Sequence, residues 1–172
     1  MSNEPAPWQD QLYELLRNSG VTQFAYVPDA GHSILIERAL ADKDVHAIPL
    51  TTEEEGVALI AGADLGGARA VLLMQSSGVG NCINMLSLIK GGRFPFLTVV
   101  SMRGDFGEGN PWQFAMGQAT APVLGAMGVI CLRIERAEDV VTTTAAAVTM
   151  AFKSGQSVAV LLSQQLIGAK PF

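Results

Sequence analysis

Charge is scarce in this sequence. Only 16% of its 172 residues are Asp, Glu, Lys or Arg, against about 25% in an average soluble protein. The few charges lean acidic, with eleven Lys plus Arg against sixteen Asp plus Glu and a formal charge of −5. Lys90, Arg93 and Arg103 are scattered rather than clustered, so nucleic acid is not an expected partner. Long hydrophobic runs are missing too: Ala70 to Met74 and Phe94 to Val100 fall far short of the ~18 residues of a membrane span, and no membrane is expected. The polar, acidic residues 1–10 (MSNEPAPWQD) lack the apolar core of a signal peptide, which makes the cytoplasm the expected location. The two cysteines, Cys82 and Cys131, have neither CxxC spacing nor a nearby histidine. They read as buried free thiols, and no metal site is expected on this chain.

What is abundant is apolar residues, 49% of the chain. That excludes disorder and suggests that part of the surface is covered by other protein. The length fits one domain spanning residues 1–172. Helical periodicity runs from Trp8 to Asn18, Ser33 to Leu40, Glu53 to about Gly66, Asn81 to about Lys90 and Glu138 to Lys153. Short apolar runs alternate with these helices at Phe24–Val27, Val45–Leu50, Ala70–Gln75, Phe96–Ser101, Val129–Ile134 and Ser157–Ser163. Ser76 to Gly80 reads as a glycine turn, and 102–118 as a long irregular stretch followed by one further helix. Strands separated by helices require crossovers, so the fold class is α/β: a six-stranded, mostly parallel sheet with helices on both faces. Ligands of such sheets gather beyond the carboxyl ends of the strands. Pro28 to His32, Thr51 to Glu55 and Ser76 to Asn81 fall there.

Each of these segments has a structural and a functional reading. The backbone amides of SSGVGN (Ser76 to Asn81) suit an anion or the close approach of a flat ring, but a tight turn also explains the glycines. Position 83 is isoleucine, so the dinucleotide fingerprint is incomplete, and no GKS or GKT follows to make a P-loop. Within Glu53-Glu54-Glu55, Thr52 and Glu55 fit a capping box, and acidic residues suit a first helical turn. The helix continues as GVALIAGA, apolar around most of its circumference, so one of the carboxylates is a candidate to be drawn inward, where desolvation raises its pKa. His32 either flanks a helix or meets a substrate at the strand end. The loop RGDFGEGNPW (Arg103 to Trp112) suits a lid or an interface, and Arg103 suits an anionic group.

Taken together, FAYVPDAGHS, TTEEEGVALIAGADLGG, LLMQSSGVGNCINML and VVSMRGD resemble the pyrimidine-binding domain of thiamine diphosphate enzymes. The closest likeness is to the sulfopyruvate and phosphonopyruvate decarboxylase branch, where aspartate rather than glycine follows the proline, as Asp29 follows Pro28. The likeness extends over nearly the whole chain and implies thiamine diphosphate as cofactor. It implies that Glu53, nine residues before Gly62, exchanges a proton with N1′ of the aminopyrimidine and thereby activates the thiazolium C2. It further implies cofactor contacts from Pro28, Ser77, Gly78, Val79, Gly80 and Asn81, a catalytic or substrate-facing His32, and substrate contacts from Asp29 and Arg103. The family's GDG sequence, which holds Mg²⁺ and the diphosphate, is missing: Gly104-Asp105 is followed by Phe106. The diphosphate and Mg²⁺ half is therefore expected on a separate beta subunit, in a hetero-oligomer with additional contacts between copies of this chain. The expected activity is decarboxylation of sulfopyruvate. The alternatives are phosphonopyruvate or another 3-substituted pyruvate, a carboligation, or a non-catalytic assembly subunit. The surplus apolar surface is expected on the Val57 to Ala63 helix, facing other subunits.

Overall fold

A computed structural model describes residues 6–169; part of the polar stretch 1–10 lies outside the described residues. Six strands form one sheet: β1 (Val21–Tyr26), β2 (His46–Pro49), β3 (Arg69–Gln75), β4 (Phe96–Ser101), β5 (Ile130–Ile134) and β6 (Ser157–Leu162). Their order is β2-β1-β3-β4-β6-β5, and all five pairings are parallel. The chain moves outward from β1 to β2 and then returns to place β3 on β1's other side. That reversal opens a crevice at the carboxyl ends of β1 and β3, where ligands of doubly wound sheets bind.

Alternation along each strand builds two cores. Phe24, Val71, Leu73, Leu97, Val99, Val158 and Val160 point to one face, covered by α1 (Trp8–Asn18), α2 (Ser33–Ala41) and α7 (Val140–Phe152). Their neighbours Ala25, Leu72, Met74, Val100, Ala159 and Leu161 point to the other. There α3 (Glu53–Leu65), α4 (Ser76–Cys82), α5 (Leu86–Gly92) and α6 (Phe114–Ala126) cover them. Because both faces of the central strands are buried, β3, β4 and β6 are mostly apolar rather than alternately polar. The short α8 (Gln164–Ile167) follows β6.

Two segments differ from the reading of the sequence. SSGVGN is not a turn leading into a helix; it is the body of α4, which starts at Ser76 directly after β3 and breaks before α5. Glycine costs about 1 kcal/mol in a helix interior, yet packing overrides the penalty, with Val79 and Cys82 fully buried. The irregular stretch is also shorter than 102–118: a 3₁₀ turn at Pro111–Gln113 leads straight into α6. Gly117 and Pro122 argue against that helix locally. Gly117, however, is where α6 lies against the Arg103 carbonyl, in a space that any side chain would fill.

The apolar surplus is also distributed differently. Val57, Ile60, Ala61 and Ala63 of α3 are buried in the domain's own core, so these side chains are not the expected interface. The bulky apolar groups left exposed on this side are Leu65 and Leu88, while Phe106, Trp112 and Phe114 project from the 102–114 segment, Trp112 at 83% exposure. No helix among the described residues is long and apolar enough to cross a membrane.

Candidate active site

Glu53 opens α3, and of the acidic triplet it alone is buried, at 9% exposure, while Glu54 and Glu55 face solvent. The expected capping box is not formed, since neither of its two hydrogen bonds is made at the Thr52 N-cap. Thr52 makes no side-chain cap, and Glu55 reaches back to accept from the Thr51 amide at 2.8 Å. Glu53 lies flat across α4. A Cβ at Gly78 would overlap its carboxyl group, so the missing side chain is what makes room for Glu53. Asn81, one turn further along α4, donates from Nδ2 to Glu53 Oε2 at 2.8 Å. Gly80 is exposed, with Met116 Sδ the nearest neighbour, 3.4 Å from where its Cβ would be. Val79 is fully buried, with its side chain in the core. Beneath, burial pushes the Cys82 thiol up to about 12, with Glu53 and Glu54 adding to the shift. Cys82 is thus a neutral packing group.

A second cluster joins the ends of β1, β3 and β4. Asp29, just after the exposed Pro28, accepts from Ser101 Oγ at 2.5 Å, from Gln75 Nε2 at 2.9 Å and from the Gly31 amide at 3.0 Å. Ser77 Oγ in turn donates to Gln75 Oε1 at 2.9 Å. Burial works to raise the Asp29 carboxyl, but the Ser101 and Gln75 hydrogen bonds outweigh it and hold the group below its usual value. It is an anion, already well satisfied. His32 is fully buried, with Nε2 3.1 Å from the Met74 carbonyl. Burial lowers its pKa despite the nearby Asp29 charge, so the ring is neutral, and Nδ1 has no partner among the described residues.

Arg103 is not a free cation. Its Nε and Nη2 donate to the two oxygens of Glu108 at 2.5 and 2.7 Å. Glu108, whose side chain is fully buried, also accepts from the Gly104 and Asn110 amides at 3.3 and 3.0 Å and from Gln164 Nε2 at 3.0 Å. Gln164 Oε1 accepts from the Asp105 and Phe106 amides at 3.1 and 3.2 Å. Five donors on one carboxylate pin the 103–110 segment, so it is anchored rather than a loose lid. Glu108, Gln164, Gln75 and Ser101 were not evident as site residues from the sequence; Glu108 sits in a polar loop, and Gln164 is 56 positions away.

The Arg103 hydrogen bond holds the Glu108 carboxyl down at about 2, from an ordinary 4.5. A depressed carboxylate stabilises the fold fully above its unfolded value and loses that contribution as the pH falls through its folded value. The melting-temperature difference between the wild-type chain and Glu108→Gln is therefore expected to be largest above about pH 4.5 and to shrink steadily as pH falls toward 2. Thermal melts of both proteins across that range check it.

A buried carboxylate beside a bare helix backbone is what an aminopyrimidine ring needs: an acceptor for a ring N–H and a flat surface on which to lie. Thiamine diphosphate thus fits the residues present, with Glu53 and the Gly78–Asn81 stretch as its cradle. Among the described residues, no group of three or more His, Cys, Asp or Glu side chains is placed to hold a metal.

Residues 28–169 match the family described as pyruvate flavodoxin/ferredoxin oxidoreductase, thiamine diphosphate-binding, which sets the class: a thiamine diphosphate-binding domain. The chain is 41% identical over 116 residues to the sulfopyruvate decarboxylase subunit alpha of Methanococcus maripaludis, covering 67% of this chain and 70% of that one. It is 36% identical over 112 residues to the phosphonopyruvate decarboxylase of Streptomyces hygroscopicus, covering 64% of this chain but 28% of that one. The fold is that of a 2-oxoglutarate:ferredoxin oxidoreductase from Magnetococcus marinus, with TM-score 0.75 at 18% identity over 94% of this chain and 29% of that one. This chain belongs to that thiamine diphosphate-binding family, within the group of sulfopyruvate decarboxylase alpha subunits.

Proposed function

We propose that this chain is the pyrimidine-binding subunit of a thiamine diphosphate-dependent decarboxylase. Sulfopyruvate is its first-choice substrate, converted to sulfoacetaldehyde and CO₂. The observation that carries this reading is the buried Glu53 laid across Gly78. When bound, thiamine diphosphate supplies the nucleophilic carbon and the electron sink for 2-oxo acid decarboxylation. Glu53 holds and returns a proton at its carboxylate, facing the pyrimidine nitrogen, with Asn81 fixing one oxygen and leaving the other for that exchange. Gly78 makes room for the Glu53 carboxyl, and the exposed Gly80 keeps the helix backbone open to the ring. Asp29, held by Ser101 and Gln75, borders the reacting carbon and keeps a fixed negative charge there.

Diphosphate and Mg²⁺ are held by a second subunit, and the exposed Phe106, Trp112 and Phe114 border the contact with it. The match to a relative of similar length favours the sulfopyruvate branch, whereas phosphonopyruvate decarboxylase is matched over little more than a quarter of its length. It keeps phosphonopyruvate as the second substrate. Purified chain, partner subunit, thiamine diphosphate and Mg²⁺ should together release CO₂ from sulfopyruvate with a higher kcat/KM than from phosphonopyruvate or pyruvate, and neither chain should do so alone. Absence of turnover on all three acids would leave the chain an assembly subunit.

A further inference from the structure

Beside the proposed reacting position lies a cavity of about 220 Å³, bounded by Asp29, Gly31, Ser101, Arg103 and Ile167. Its charge balance is unusual for a site that receives an anion. Asp29 contributes a negative charge, and the positive charge of Arg103 is already matched by Glu108. An acid entering here finds no net positive field, so attraction at a distance does not select it. What remains is direction. Nε and Nη2 of Arg103 are taken up by Glu108, which leaves Nη1 as the one guanidinium nitrogen with no hydrogen-bond partner among the described residues. Where that nitrogen points depends on how the planar guanidinium is held, because its donors are fixed relative to one another.

Glu108 does the holding. Its two oxygens grip the Nε/Nη2 edge, and it is itself fixed by the Gly104 and Asn110 amides and by Gln164. We propose that Glu108 is a positioning residue for substrate recognition: it holds Arg103 edge-on, so that Nη1 receives an anionic end of the 2-oxo acid in this cavity. The inference rests on the proposed decarboxylase reading. A role confined to stapling the loop would weaken the fold without acting through Arg103, and the two roles give different results.

The test uses the complex of this chain with its partner subunit, well below the melting temperature of every variant. Glu108→Gln and Arg103→Lys are each expected to raise the KM for sulfopyruvate by about tenfold or more, with kcat and thiamine diphosphate affinity essentially unchanged. The doubly substituted complex should lose no more than Arg103→Lys alone, since both changes remove one interaction. Glu108→Asp, which keeps the charge but retracts it, is the milder variant should Glu108→Gln fail to fold. It is expected to show the same split at smaller size. Calorimetric binding of 3-sulfopropanoate, which has no 2-oxo group to react, should weaken in parallel. Losses that multiply in the double variant, kcat and cofactor affinity that fall together, or unchanged 3-sulfopropanoate binding would each overturn the proposal. If the wild-type complex decarboxylates no 2-oxo acid, the proposed function fails, while the 3-sulfopropanoate arm still decides whether Glu108 acts through Arg103.

Discussion

Glu53→Gln is expected to lower kcat of the assembled enzyme by about 10²–10⁴-fold, the usual span for loss of a positioned acid–base group, while the melting temperature barely moves. The substitution is nearly isosteric. The amide fits the same trough over Gly78, and its oxygen can still accept from Asn81, so packing and local hydrogen bonding survive. What disappears, on the proposed function, is the ability to take up and return a proton at this position. Cofactor-saturated single-turnover rates, with thermal melts of the same preparations, separate the two effects. Near-normal turnover would remove Glu53 from the chemistry and undermine the proposed function with it.

Gly78→Ala is expected to be the companion result, an inactive protein that is no less stable. The added methyl would overlap the Glu53 carboxyl, and the atoms it meets are the far end of a flexible side chain rather than backbone. Glu53 therefore swings aside and the helix stays in place. Alanine in fact favours a helix interior by about 1 kcal/mol over glycine, which offsets the disturbed contact. A catalytic group displaced by about 1 Å can cost about 10²-fold in rate, so a fall of at least that order in kcat is expected, with a melting temperature at or above wild type. The double variant with Glu53→Gln should be far less than multiplicative, because both changes remove the same carboxylate from the same place. Rates and melts of the four proteins make the complete test.

That pair of residues also shows where sequence reading succeeds and where it stops. The helix Trp8–Asn18 and the strand Phe96–Ser101 have the bounds that periodicity and flanking residues indicate, since local signals and tertiary packing agree there. The placement of Thr51–Glu55 and Ser76–Asn81 at the carboxyl ends of β2 and β3 is recognisable because they follow apolar runs of a parallel sheet. What the glycines of α4 do is not recognisable. Gly78 looks like a turn-former, and its purpose, to leave room for a side chain 25 positions earlier, exists only after folding. The same holds for α6, where Gly117 looks like a helix breaker until the close approach to Arg103 is seen. The burial of the Glu108 carboxylate is not recognisable either: Arg103, Gly104 and Asn110 are near in sequence, but the partner that ties it to the rest of the fold, Gln164, comes from the start of α8.

Ser77 and Gly78 are consecutive on α4, yet they serve different neighbours. Ser77 ends the chain of hydrogen bonds that runs through Gln75 to Asp29, while Gly78 carries the surface on which Glu53 rests. In a seven-residue helix of about two turns, one residue cannot rotate or slide without taking the other along. The contacts that reach Asp29 and Glu53 are therefore carried on a single short helix. A mutation, or a neighbouring subunit, that tilts α4 misaligns both at once. Neither half of the crevice can be re-tuned for a new acid without re-tuning the other.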